Sequence, residues 1–108
     1  MYSLNKQFEE LKKKIIDKES EICVVGLGQV GLPTALSFVN SGYNVTGVDT
    51  NEDLINKINN GISPFQEENL QEFIKESQKN ERFHVSTKID QVIENSNVII
   101  VCVATPIT

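Results

Sequence analysis

Glu21-Ile22-Cys23-Val24-Val25-Gly26-Leu27-Gly28-Gln29-Val30-Gly31 is a short apolar run closed by glycines spaced G-x-G-x-x-G. The run predicts a strand and the glycines a tight turn into a helix, which Leu32-Pro33-Thr34-Ala35-Leu36-Ser37-Phe38-Val39 then supplies. A lone glycine pattern of this kind also makes ordinary turns. Here a second apolar run follows and ends at Asp49, an acid about 20 residues on, which completes the βαβ pattern that binds a dinucleotide. Each position has a physical task. Gly26 permits the turn, Gly28 admits a pyrophosphate to the backbone without a Cβ in the way, and Gly31 lets the helix pack close. The helix start offers unpaired N–H groups and partial positive charge to phosphate. Asp49 is placed to accept hydrogen bonds from an adenosine ribose.

Downstream, Ser41-Gly42 ends the first helix, and Tyr43 to Val48 reads as the second strand. Thr50 with Asp53 resembles a capping box for a helix from Asn51 to about Asn60, closed by Gly61. Ile62-Ser63-Pro64-Phe65 is a turn, and a helix over Glu67 to Gln78 buries Leu70, Phe73 and Ile74. Arg82 to Ser86 forms a short third strand. Thr87 with Asp90 starts another capped helix, and Asn97 to Val103, nearly all apolar, reads as a strand buried on both faces. The fold class is therefore α/β, a partial Rossmann-type doubly wound parallel sheet. Right-handed crossovers predict the strand order 3-2-1-4.

Upstream, Leu4, Phe8, Leu11 and Ile15 are spaced four, three and four apart, one stripe of an amphipathic helix over residues 1–20. Lys6, Glu9, Glu10, Lys13 and Asp17 fall on the opposite face. Its mixed charge argues against a membrane-surface helix, and the stripe must bury against the domain or a partner chain. Residues 21–108 form the nucleotide-binding domain.

The chain has 108 residues, enough for one domain, and a net charge of −5, which offsets no phosphate repulsion and argues against nucleic acid as a partner. No apolar stretch approaches the roughly 18 residues that a membrane span needs, and the polar start does not resemble a signal peptide, so a cytoplasmic location is expected. Cys23 and Cys102 lie in expected central strands as reduced, buried thiols, with no His or basic neighbour to activate them. His84, the single histidine, has no metal-ligand cluster in its neighbourhood in sequence. No catalytic residue and no metal site is assigned.

Several stretches carry a closer resemblance. Gly26-Leu27-Gly28-Gln29-Val30-Gly31-Leu32-Pro33 is similar to the G-L-G-Y-V-G-L-P of the nucleotide-sugar dehydrogenases, the UDP-glucose/GDP-mannose dehydrogenase family. Gly42 to Asp49 resembles its second strand. Ile58-Asn59-Asn60-Gly61 followed by Ser63-Pro64 resembles its L-N-x-G-x-S-P, and Val101 to Pro106 its V-x-V-P-T-P, with Ala104 in place of the first proline. A polar helix before the first strand favours the branch acting on UDP-N-acetylmannosamine or UDP-N-acetylglucosamine.

The resemblance implies NAD as cofactor and a UDP-sugar as substrate, oxidised at its C6 alcohol to the carboxylate with two NAD per turnover. It implies that Gly26, Gly28, Gln29 and Val30 line the pyrophosphate, that Asp49 holds the ribose, and that Thr105 lies near the cofactor. Leu54 stands where the family often has a lysine or arginine close to that ribose. The family's cysteine nucleophile lies beyond the matched portion, so the chain resembles the N-terminal cofactor domain of a longer, homo-oligomeric enzyme and is expected to be inert alone. The competing reading is a stand-alone NAD-binding or regulatory module without catalysis. Ser63-Pro64 and Thr105-Pro106 favour the enzyme.

Overall fold

The computed structural model describes residues 20–66, 69–79 and 81–102. The helix expected over residues 1–20 therefore falls outside the described residues, apart from a bend at Ser20, and so does Thr105. The described elements are β1 (Glu21–Val25), α1 (Gly31–Asn40), β2 (Asn44–Val48), α2 (Glu52–Asn59), α3 (Leu70–Gln78), β3 (Phe83–Ser86), α4 (Ile89–Glu94) and β4 (Val98–Val101). All pairings are parallel, in the order β3-β2-β1-β4, as the crossover rule predicts. The central register sets Cys23 beside Thr46 on one side and Ile99 on the other.

Alternation along β1 explains the layering. Ile22 and Val24 join the main core, which α1 closes with Leu32, Ala35, Leu36, Phe38 and Val39. Ile55 and Ile58 of α2, Leu70 and Ile74 of α3, and Phe83 of β3 complete it. Phe38 is fully buried and meets Tyr43 edge to face, ring centroids 5.8 Å apart. Burial of one such ring stabilises the fold by about 1.5–3 kcal/mol, more than any surface pair in the molecule can. Gly42 (φ +94°) and Gly61 (φ +74°) adopt the left-handed conformation that ends α1 and α2.

Several expected details are corrected. Asn51, not Thr50, caps α2: its side chain accepts from the Leu54 N–H at 3.2 Å. Thr87 does not cap α4, since the residue before that helix is Lys88, whose N–H donates to Ser86 Oγ at 3.0 Å. Helix α3 starts at Leu70 rather than Glu67, because Asn69 has φ 68°, outside the helical region. Strand β4 is not buried on both faces. Val98 and Ile100 pack on the core, while Ile99 is 45% and Val101 61% exposed. The same apolar run serves a doubly covered strand or a half-covered edge, and only the neighbouring elements decide which.

Candidate functional site: the glycine turn and Asp49

The site forms where β1 ends. Gly26 turns the chain at φ +94°, its N–H donating to Val48 O at 2.8 Å, so the turn is bonded to the end of β2. A Cβ at Gly26 would lie 2.1 Å from Cys102 O, and one at Gly31 would lie 1.6 Å from Gly26 O. The close approach expected at Gly31 is to the residues that follow β1 and β4, Gly26 and Cys102, whose Cβ would lie 3.3 Å from the added one. Gly28 differs from both. A Cβ there would meet nothing within 4 Å, so the fold does not require glycine and the backbone stands open to an incoming group.

Leu27 and Gly47 escaped the sequence reading as site residues. Leu27 is fully buried, and a Cβ at Gly47 would come within 2.6 Å of its side chain. Gly47 thus lets Leu27 seat on β2. That seating points the Leu27 N–H at Asp49 Oδ2, 2.9 Å away and 22 residues on in the chain. The Asn51 N–H donates to Asp49 Oδ1 at 2.9 Å. Two backbone donors therefore fix the carboxylate against the glycine turn, and a carboxylate's roughly four lone-pair sites leave capacity for further donors. A glycine inside an otherwise β-branched strand was the available signal, marking a close approach by another part of the chain.

Helix α1 opens with no side-chain cap and no acid in its first turn. Gln29 and Val30, just before it, are exposed. Helix α2, by contrast, has the Asn51 cap followed by Glu52 and Asp53. An uncapped helix start, a Cβ-free approach at Gly28 and a carboxylate fixed 22 residues after Leu27 suit a dinucleotide's diphosphate and ribose. Gly26, Gly28, Gln29, Val30, Gly31 and Asp49 are brought together around this turn. Leu54 packs against the core.

The two thiols are poorly suited to nucleophilic work. Burial pushes the Cys23 thiol up, a hydrogen bond with Ser96 partly opposing it. Burial likewise raises Cys102, partly opposed by a hydrogen bond with Thr34. A raised thiol holds less thiolate at neutral pH. Among the described residues no group of three His, Cys, Asp or Glu side chains could hold a metal ion, and no helix is long and apolar enough to cross a membrane.

The model of the UDP-glucose/GDP-mannose dehydrogenase family, NAD binding domain, matches residues 20–108. The chain belongs to this family, as its NAD-binding domain. UDP-N-acetyl-D-mannosamine dehydrogenase from Methanococcus vannielii is 40% identical over 89 residues, covering 82% of this chain and 20% of the relative. The structure of UDP-D-ManNAc dehydrogenase from Pyrococcus horikoshii superposes with a TM-score of 0.75 at 39% identity, covering 82% of this chain and 21% of that one. GDP-mannose dehydrogenase from Pseudomonas aeruginosa gives a TM-score of 0.75 at 33% identity, over 79% of this chain and 20% of that one. The chain thus spans about a fifth of the length of the curated relatives it matches. NAD is the cofactor of this domain, and the turn geometry fits it.

Proposed function

We propose that this domain holds NAD for a UDP-sugar 6-dehydrogenase, with UDP-N-acetylmannosamine the favoured substrate, oxidised at C6 from alcohol to carboxylate. The observation that carries the cofactor half is the Leu27 N–H to Asp49 bond, which holds the acid beside the glycine turn. Support for the sugar comes from the relatives near 40% identity that bear that substrate's name.

In this reading the N–H groups leading into α1, at Gln29, Val30 and Gly31, bind the diphosphate, and Gly28 lets it approach the main chain. Asp49 accepts from the ribose hydroxyls and so fixes the adenosine end. NAD, when bound, takes up the hydride removed from the sugar at each of two oxidations. Gly26, Gly31, Leu27 and Gly47 keep the turn in shape, so their part is structural. Bond breaking at the sugar needs a nucleophile and a base, and we assign neither to this chain.

The test has two arms. NAD titrated calorimetrically into the chain should bind, and the product of the whole reading frame that encodes it should form NADH with UDP-N-acetylmannosamine faster than with UDP-glucose. Absence of NAD binding overturns the cofactor reading. Binding without turnover by the whole gene product favours the stand-alone module, and faster turnover of UDP-glucose reassigns the substrate.

A further inference from the structure

Gly47 lies in β2 at a place where the sheet holds it on both sides. It is buried, and it pairs with Val24 of β1 and with Val85 of β3. Side chains alternate along a strand and paired residues share a face, so position 47 faces the main core beside Val24 and Val45. Those two neighbours fill the core face with β-branched side chains. At Gly47 the space is filled from outside the strand, by Leu27. A Cβ at position 47 would lie 2.6 Å from Leu27 Cδ2, 2.8 Å from Cδ1 and 3.2 Å from Cγ.

Leu27 has little room to give way. Its side chain is fully buried in the main core, and interiors packed to crystal density do not accept an extra methyl without a shift. Gly47 is pinned by two strands, so the shift falls on Leu27 and carries its N–H along. That N–H is one of two donors that hold Asp49. Leu27 donates to Oδ2 and Asn51 to Oδ1, each at 2.9 Å. With both bonds made, the carboxylate is held against rotation about its Cβ–Cγ bond, and the lone pairs left on each oxygen have fixed directions.

We infer that Gly47 is a positioning residue for cofactor choice, setting the preference for NAD over NADP through Leu27 and Asp49. The inference rests on the reading that Asp49 receives the adenosine ribose. A carboxylate already fixed by two donors accepts from the ribose hydroxyls without having to be ordered first, which favours NAD. Fixed in the same way, it cannot swing aside from a 2′-phosphate, which disfavours NADP. Release from Leu27 weakens both effects, and both changes narrow the same ratio. The structural part that Gly47 and Leu27 play in the turn thus reaches the cofactor.

That ratio also separates positioning from plain destabilisation. A partly unfolded population lowers the apparent affinity for both dinucleotides by one factor and leaves their ratio as it was.

NAD and NADP titrated calorimetrically into the whole chain test the inference. The comparison set is Asp49→Asn, Gly47→Ala, and Gly47→Ala combined with Leu27→Val or with Leu27→Ala. Gly47→Ala should narrow the NAD preference at least threefold. Leu27→Val should recover part of it. Leu27→Ala removes all three atoms that the new Cβ meets, so it should restore the preference to within twofold of wild type. Where Gly47→Ala alone is too unstable to titrate, the two combined variants should still differ in that direction, and equal ratios in that pair overturn the inference. A preference unchanged in Gly47→Ala but narrowed in Asp49→Asn overturns it alone, and so does a narrowing that neither change at Leu27 reverses. A preference unchanged in Asp49→Asn as well, or no NAD binding by the wild-type chain, removes the ribose reading and the inference with it.

Discussion

Glycines separated by a few residues in one turn carry different burdens, and substitution by alanine separates them. At Gly31 the added Cβ would lie 1.6 Å from a backbone oxygen that cannot move aside cheaply. Gly31→Ala should therefore destabilise the domain by about 3 kcal/mol or more, read as a fall in the urea midpoint. Gly28→Ala has open space around it, so its unfolding midpoint should stay within about 0.5 kcal/mol of wild type. Its NAD affinity should nevertheless drop at least tenfold, or about 1.4 kcal/mol, because the Cβ stands where the diphosphate arrives. Full NAD affinity in Gly28→Ala would remove that residue from the site. Asp49 decides between dinucleotides. Its carboxylate accepts from ribose hydroxyls but repels a 2′-phosphate, and Thr50, Asn51, Glu52 and Asp53 add no positive charge. Calorimetry should show NAD preferred over NADP by at least about tenfold, and Asp49→Asn should narrow the gap. An unchanged gap would mean that Asp49 does not face the ribose.

Among the described strands, β4 is the edge that exposes large apolar side chains. It pairs with β1 alone among the described strands, and Ile99 and Val101 present apolar side chains to solvent. An uncovered apolar edge strand recruits another chain. Sedimentation at high micromolar concentration should detect self-association, and Val101→Lys should shift it toward monomer without lowering the unfolding midpoint by more than about 0.5 kcal/mol. A monomeric wild-type chain would contradict this. The elements also show why caps were misplaced in the sequence reading. Thr50-Asn51-Glu52-Asp53 offers several side chains able to cap, and Asn51 takes the position, its side chain accepting from the Leu54 N–H.

At the scale of the whole molecule, the two thiols add a pH sensitivity on the alkaline side. Burial raises both thiols above the ordinary 9.0. Below pH 9 each is protonated in folded and unfolded chains alike, and its contribution to stability is fully present. Above it the unfolded chain releases protons that the fold retains, and stability is lost as the pH rises through the folded values. The urea midpoint should therefore fall above about pH 9, and the fall should be shallower in Cys23→Ala, the change at the fully buried thiol. Equal slopes in the two proteins would assign the loss to other groups. The chain by itself should yield no NADH with any UDP-sugar, as measured at 340 nm with protein free of longer enzyme.

The order of elements, the parallel sheet and the position of the glycine turn were legible in the sequence, because hydrophobic period and glycine placement are local properties. Ile22 to Val25, a short apolar run closed by Gly26, reads as a strand ending in a turn once the helical pattern and second apolar run that follow are taken with it. The strand order followed as well, since the handedness of crossovers is fixed by the chain's own chirality. What the sequence could not contain was which neighbour each face would meet. The exposure of Val101, the seat of Leu27 on Gly47 and the bond from the Leu27 N–H to Asp49 each join residues distant in sequence. Contacts of that kind are set by how layers pack, and a pattern read along the chain has no term for them.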